Sequence, residues 1–119
     1  QYDVSDPRKL KLAGSVHIGG IVRKTPHPNG KAYAGGPQMV EISRDGKRVY
    51  WTNSLYSTWD DQFYPAGMPA AEVMAIAKPG GGLELAKDYW VEFPDGYRAH
   101  QIRLDGGDCS TDSFCYPSV

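Results

Sequence analysis

The chain has 119 residues, 40% of them hydrophobic and 23% charged, with a formal net charge of −1. That balance is globular and excludes intrinsic disorder. It also excludes a long-range electrostatic pull toward nucleic acid or an acidic membrane. There is no basic run and no apolar stretch of membrane-spanning length, so neither a nucleic-acid partner nor membrane insertion is expected. The 14 Gly and 9 Pro, with 8 Tyr and 3 Trp, point to many short strands joined by turns. No signal-peptide pattern is present, but Gln1 is not an initiator Met and Gln1-Tyr2-Asp3-Val4 reads as the inside of a strand. The chain is expected to be a processed or excised piece of something longer.

Taken in chain order, Tyr2 and Val4 alternate before a turn at Ser5-Asp6-Pro7. Leu10, Leu12, Val16 and Ile18 form the next apolar group, which Gly19-Gly20 closes. Residues 21–36 carry Pro26, Pro28, Asn29-Gly30 and Gly35-Gly36 and read as a loop between units. Met39 to Ile42 is a strand, and Arg48 to Thr52 returns after the turn at Arg44-Asp45-Gly46. Asp-Gly between two such runs is a strong hairpin signal. A loop over 53–71 follows, then strands at Glu72 to Ala77, Trp90 to Phe93 and Ala99 to Leu104. Pro69 to Ile76 offers one helical turn at most, so the class is all-β.

A weak repeat suggests the architecture. Pro37-Gln38-Met39 and His100-Gln101-Ile102 each follow a loop and precede an Asp-Gly turn, at Asp45-Gly46 and Asp105-Gly106. Four strands between two such openings make one β-propeller blade. The division is then 1–20 as the outer strands of one blade, 37–93 as a complete blade and 99–119 as the start of the closing one. Partial units cannot close a ring, and unpaired edges invite association. The remainder of the same propeller is therefore the expected partner, and the same edges allow a homo-oligomer.

Blade geometry places loop 53–71 and Tyr97-Arg98-Ala99-His100 on one rim, with His100 at the channel mouth. His100 is the leading chemical candidate, although a lone His entering a strand is more often a hydrogen-bonded structural residue. His17, alternating with apolar residues, and His27, between two prolines, are weaker candidates. Asp60 and Asp61 have the chemistry of acid–base groups or metal ligands, but such a pair more commonly caps a turn. Tyr56, Trp59, Phe63 and Tyr64 form a packed lid or an interface. Gly80-Gly81-Gly82 has no helix after it and is a turn, not a phosphate cradle. No Walker loop, CxxC or HExxH pattern occurs, nor a nucleophile–base pair. Cys109 and Cys115 could pair as a short disulfide or stay reduced.

These residues resemble the selenium-binding protein/methanethiol oxidase family. The resemblance rests on Gln1-Tyr2-Asp3-Val4-Ser5-Asp6-Pro7, Gly35-Gly36-Pro37-Gln38-Met39, Asp45-Gly46-Lys47-Arg48, the segment from Asn53 to Pro65, Ala99-His100, and Gly106-Gly107-Asp108-Cys109-Ser110. The segment Asn53-Ser54-Leu55-Tyr56-Ser57-Thr58-Trp59-Asp60-Asp61-Gln62-Phe63-Tyr64-Pro65 is specific enough to carry it alone. The resemblance implies a propeller of which this chain is the C-terminal quarter. It also implies a copper-dependent oxidase that converts methanethiol, O2 and water to formaldehyde, hydrogen sulfide and hydrogen peroxide.

On that reading His100 is a copper ligand, and Tyr56, Trp59, Asp60, Asp61 and Tyr64 line a pocket for a small thiol and O2. The other ligands would lie in the missing part, leaving this chain inactive alone. Cys109 is a candidate contact for selenium or thiol, against the blander reading of a buried structural thiol. The location implied is periplasmic for a bacterial member and cytosolic for a eukaryotic one. The alternatives are a non-catalytic selenium-binding or protein-interaction propeller, and a purely structural piece of a larger assembly. The compact segment between Ile21 and Ala34 departs from the family pattern, as does the tail from Thr111, which leaves Cys115 unexplained.

Overall fold

Four strands between Pro37 and Glu92, two of their connections being glycine turns, form a four-stranded antiparallel meander. The computed structural model describes residues 1–20, 25–33, 36–53, 57–63, 71–95 and 97–105. Two short pairs precede the meander: β1 (Tyr2–Asp3) with β2 (Lys11–Leu12), and β3 (Thr25–Pro26) with β4 (Ala32–Tyr33). The main sheet runs β5 (Pro37–Ile42), β6 (Arg48–Asn53), β7 (Ala71–Ala77) and β8 (Leu83–Glu92), each beside the next in sequence. One helix, α1 (Ser57–Phe63), lies between β6 and β7.

Register sorts the side chains of the sheet into two faces, because strand residues alternate. Val40 faces Trp51, Ile42 faces Val49, Trp51 faces Val73, and Val73 faces Trp90. That apolar face packs under Val16, Ile18 and Tyr33, with Val73 fully buried. Burying a valine completely contributes about 1.5–3 kcal/mol. The opposite face carries Glu41, Tyr50, Thr52 and Glu72, all buried and polar or amphipathic. Buried carboxylates persist only where donors meet them. The Tyr89 hydroxyl donates to Glu72, and its ring meets Tyr50 edge-on at 5.5 Å. Burial and the Glu72 carboxylate both push the Tyr89 phenol well above its ordinary pKa.

The β3–β4 hairpin docks on the outer strand through Trp90. His27 and Tyr33 meet that indole edge-on at 5.1 and 6.0 Å, and Lys31 Nζ stands 5.4 Å from its centre. Trp90 Nε1 and Lys31 Nζ both donate to Glu92, at 2.6 and 2.7 Å. The β1–β2 hairpin docks instead through the Gln1 side chain and a close backbone approach at Gly14. Gly82 N–H donates to Gln1 Oε1 at 2.8 Å, and a Cβ on Gly14 would sit 2.4 Å from the Gly82 Cα.

Inside the stretch read as a loop, Thr25–Pro26 pairs with Ala32–Tyr33 as a short hairpin, and four further differences from the sequence reading have physical causes. Val16 and Ile18 are core residues but not strand residues; only Lys11–Leu12 finds a partner, β1. The fourth strand begins at Leu83, well before Trp90, because Leu83 and Leu85 pair with Ala77 and Ala75. An irregularity then moves the partner of β7 from Leu85 to Trp90 as β7 passes from Ala75 to Val73, which hides the strand's period. The loop after β6 contains two turns of helix. Residues 99–104 form no strand, since no described neighbour pairs with them.

The β5–β6 turn is held by Ser43, whose hydroxyl donates to Asp45 at 2.6 Å and accepts from the Arg48 N–H at 3.0 Å. The Ser43 hydroxyl, then the Lys47 N–H, hold the Asp45 carboxyl below its ordinary value. A lowered folded-state pKa contributes stability above the ordinary aspartate value, which is lost as pH falls through the lowered one. Ser43→Ala should therefore flatten the acid limb of a stability–pH profile measured by denaturant titration. Gly14→Ala should lower stability by about 1–3 kcal/mol through overpacking. Gly36→Ala, where a Cβ meets nothing within 4 Å, should change it by less than about 0.5 kcal/mol. Equal effects of the two glycine changes would refute the backbone docking.

Candidate functional site

The chain end of β6, helix α1 and the segment from Tyr97 meet at one end of the sheet. β6 closes with Thr52 and Asn53, both buried. Seven residues of helix are too few to be stable alone in water. Asp60 lies in the first turn of α1, where a carboxylate suits the helix dipole. Its side chain turns inward to Arg98, whose Nη1 donates to Asp60 Oδ2 at 3.2 Å. The pair is nearly buried, with side chains 9% and 17% exposed for Arg98 and Asp60. Trp59 and Phe63, four apart on the helix, stack with centroids 5.6 Å apart and remain exposed. One side of α1 is thus anchored by charge while aromatic rings project from it.

Two further bonds fix the strand-like segment beyond Arg98. The Thr52 hydroxyl donates to the His100 carbonyl at 3.4 Å. Gln101 Nε2 donates to Glu41 Oε2 at 3.2 Å, and Glu41 is only 1% exposed. His100 therefore has a tethered backbone and an exposed residue surface, flanked by half-buried Ala99 and Gln101. That combination suits an imidazole offered outward. No group of three or more His, Cys, Asp or Glu able to hold a metal occurs among the described residues. His100 stands there as a single exposed residue, and the described residues complete no metal site around it.

The remaining candidates separate clearly. Asp60 is engaged by Arg98, so its carboxylate faces a guanidinium. Trp59 is 65% exposed at the helix surface. Asp61 belongs to α1, and its side chain lies outside the described residues, as do Tyr56, Tyr64, Cys109 and Cys115. His17 is exposed, and His27 is buried beneath Trp90 with its Nδ1 accepting from the Asn29 N–H at 3.3 Å. Sequence reasoning missed Arg98, Glu41 and Gln101. Its usable signal was the opposite charge of Arg98 and the Asp60-Asp61 pair on two segments assigned to one rim.

An apolar cleft of about 280 Å³ opens on the other face of the sheet, between Gln1, Ile42, Val49, Trp51 and Leu83. It bears no titratable side chain and belongs to the packing of the β1–β2 hairpin on the sheet. No helix among the described residues is long and apolar enough to cross a membrane.

With this geometry in place, the comparisons with known proteins are specific. Residues 1–115 match the family described as 56 kDa selenium-binding protein. A protein of Xenopus tropicalis named methanethiol oxidase is 42% identical over 136 residues, covering 94% of this chain and 29% of its own length. The human protein of that name is also 42% identical over the same coverage. Selenium-binding protein 1 of Arabidopsis thaliana is 38% identical, with 94% of this chain and 28% of that protein covered. An X-ray structure of a hypothetical selenium-binding protein from Sulfolobus tokodaii superposes with a TM-score of 0.82 at 56% identity. It covers 98% of this chain and 25% of that one. The present chain thus spans well under a third of the relatives it matches.

The bond from Thr52 to His100 gives a direct test of the tether. Thr52→Val, which keeps the shape and removes the donor, should cost about 1 kcal/mol in denaturant unfolding. It should also speed amide exchange in 99–101, while exchange in β7 stays unchanged.

Proposed function

The chain belongs to the 56 kDa selenium-binding protein family, and we propose that it is the C-terminal part of a copper-dependent methanethiol oxidase. The proposed reaction consumes methanethiol, O2 and water and yields formaldehyde, hydrogen sulfide and hydrogen peroxide. The observation that carries the reading is the tethered, exposed His100 at the end of the sheet, in a chain 42% identical to proteins named methanethiol oxidase.

His100 would hold copper together with donors from the rest of the protein; imidazole suits copper, and a soft thiolate substrate suits it as well. Copper, when bound, supplies a Lewis acid that favours the thiolate and a redox partner for oxygen. The contribution of this chain's own residues is positional. Thr52 fixes the His100 carbonyl, Glu41 receives Gln101, and Arg98 joins the segment to α1. Trp59 and Phe63 present an apolar surface from α1 that suits the methyl group of a small thiol. Tyr56, Tyr64 and Asp61 complete the proposed pocket, with Cys109 as a candidate thiol or selenium contact. The location would be periplasmic in a bacterium and cytosolic in a eukaryote.

A second reading is a non-catalytic propeller that carries selenium or binds another protein. The exposed Trp59–Phe63 pair favours it, because aromatics are enriched at interfaces. Metal analysis separates the two readings. In the full-length protein, stoichiometric copper that falls by at least about tenfold in His100→Ala, together with thiol oxidation, is expected for a ligand whose loss weakens both. Unchanged copper and unchanged rate in that variant would remove His100 from the site.

A further inference from the structure

We propose that the Asp60–Arg98 ion pair is the positioning device of this site: it fixes α1 and the His100 segment in one mutual placement. The inference rests on the reading of His100 as a metal donor, and it assigns Asp60 a role different from pocket lining. Arg98 stands two residues before His100, and Asp60 sits on the inner side of α1, one residue beyond the exposed Trp59. Three ties then converge on a short run of backbone: Arg98 to α1, the His100 carbonyl to β6, and Gln101 to β5. Two of them come from the sheet; the first couples the sheet end to the helix that carries the aromatic rings.

The physical case is that the pair is nearly withdrawn from water. Exposed ion pairs are screened and worth little, whereas removing one partner of a buried pair leaves an uncompensated charge. Breaking this one therefore weakens the join between the two segments. A short helix has little stability of its own, so α1 should lose its fixed placement first. The aromatic surface and the imidazole would then no longer be held in register. Asp60 and Arg98 act through neighbouring groups and touch no reacting atom.

The test uses the full-length protein carrying Asp60→Asn, which keeps the side chain's shape, Arg98→Met, and both changes together. In metal-free protein, amide exchange in 57–63 and 97–101 should rise at least tenfold in each single variant, with exchange in β6 and β7 unchanged as proof of folding. The effect of the double variant should fall short of the sum of the two single ones, since the shared interaction is lost only once. Arg98→Lys, which retains a cation, should restore part of the protection. In copper-loaded protein, Asp60→Asn should alter the Cu(II) electron paramagnetic resonance spectrum at unchanged copper content. Unchanged exchange in the single variants, or effects that simply add in the double, would overturn the coupling. A wild-type copper spectrum in Asp60→Asn would overturn the positioning role. Because exchange is read without metal, failure of the coupling is distinct from failure of the copper reading, which His100→Ala decides.

Discussion

An antiparallel blade has two faces and cannot bury both by itself; everything else in this chain follows from how each face obtains its cover. The face bearing Trp51, Val73 and Trp90 is covered by Val16, Ile18 and Tyr33. The other face carries carboxylates and phenols, and they need donors more than they need apolar cover. Glu72 receives its donor from Tyr89 within the sheet. Glu41 receives one from Gln101, outside the sheet. That demand draws the segment from Tyr97 along the polar face of β5 and β6 and sets His100 beside Thr52.

The arrangement at this end of the molecule is therefore a by-product of satisfying buried polar groups. The His100 backbone, the inward guanidinium of Arg98 and the helix between β6 and β7 are held by side-chain bonds. Bonds of this kind are directional, which suits a site that must hold geometry at the edge of a domain. Apolar packing does the complementary work at the opposite flank, where Gly14 lets one backbone rest against another and Trp90 gathers His27, Lys31 and Tyr33.

Much of the sheet was legible in the residues. The Asp45-Gly46 turn and the alternation through Met39–Ile42 and Arg48–Thr52 identify β5 and β6 within a residue or two at each end. The alternation fails for β8, where the register irregularity interrupts the period. It also fails for residues 99–104, whose pattern is strand-like although no described strand pairs with them. Helix α1 escaped because seven residues give too short a window for a helical period, and its aromatics suggested burial where the structure exposes them. At the site, His100 was legible as a lone imidazole at the start of a unit. The Arg98–Asp60 and Gln101–Glu41 bonds were not, because both join segments far apart in sequence and no local pattern records such pairings.

The central claim is that this end of the sheet is one side of a metal centre completed by the remainder of a larger propeller. The most direct measurement is the anomalous scattering of crystals of the full-length, copper-loaded protein at the copper edge. The account predicts a peak within bonding distance of a His100 ring nitrogen, with the remaining donors supplied by residues preceding Gln1. A copper peak remote from His100, with that imidazole free in solvent, would contradict it.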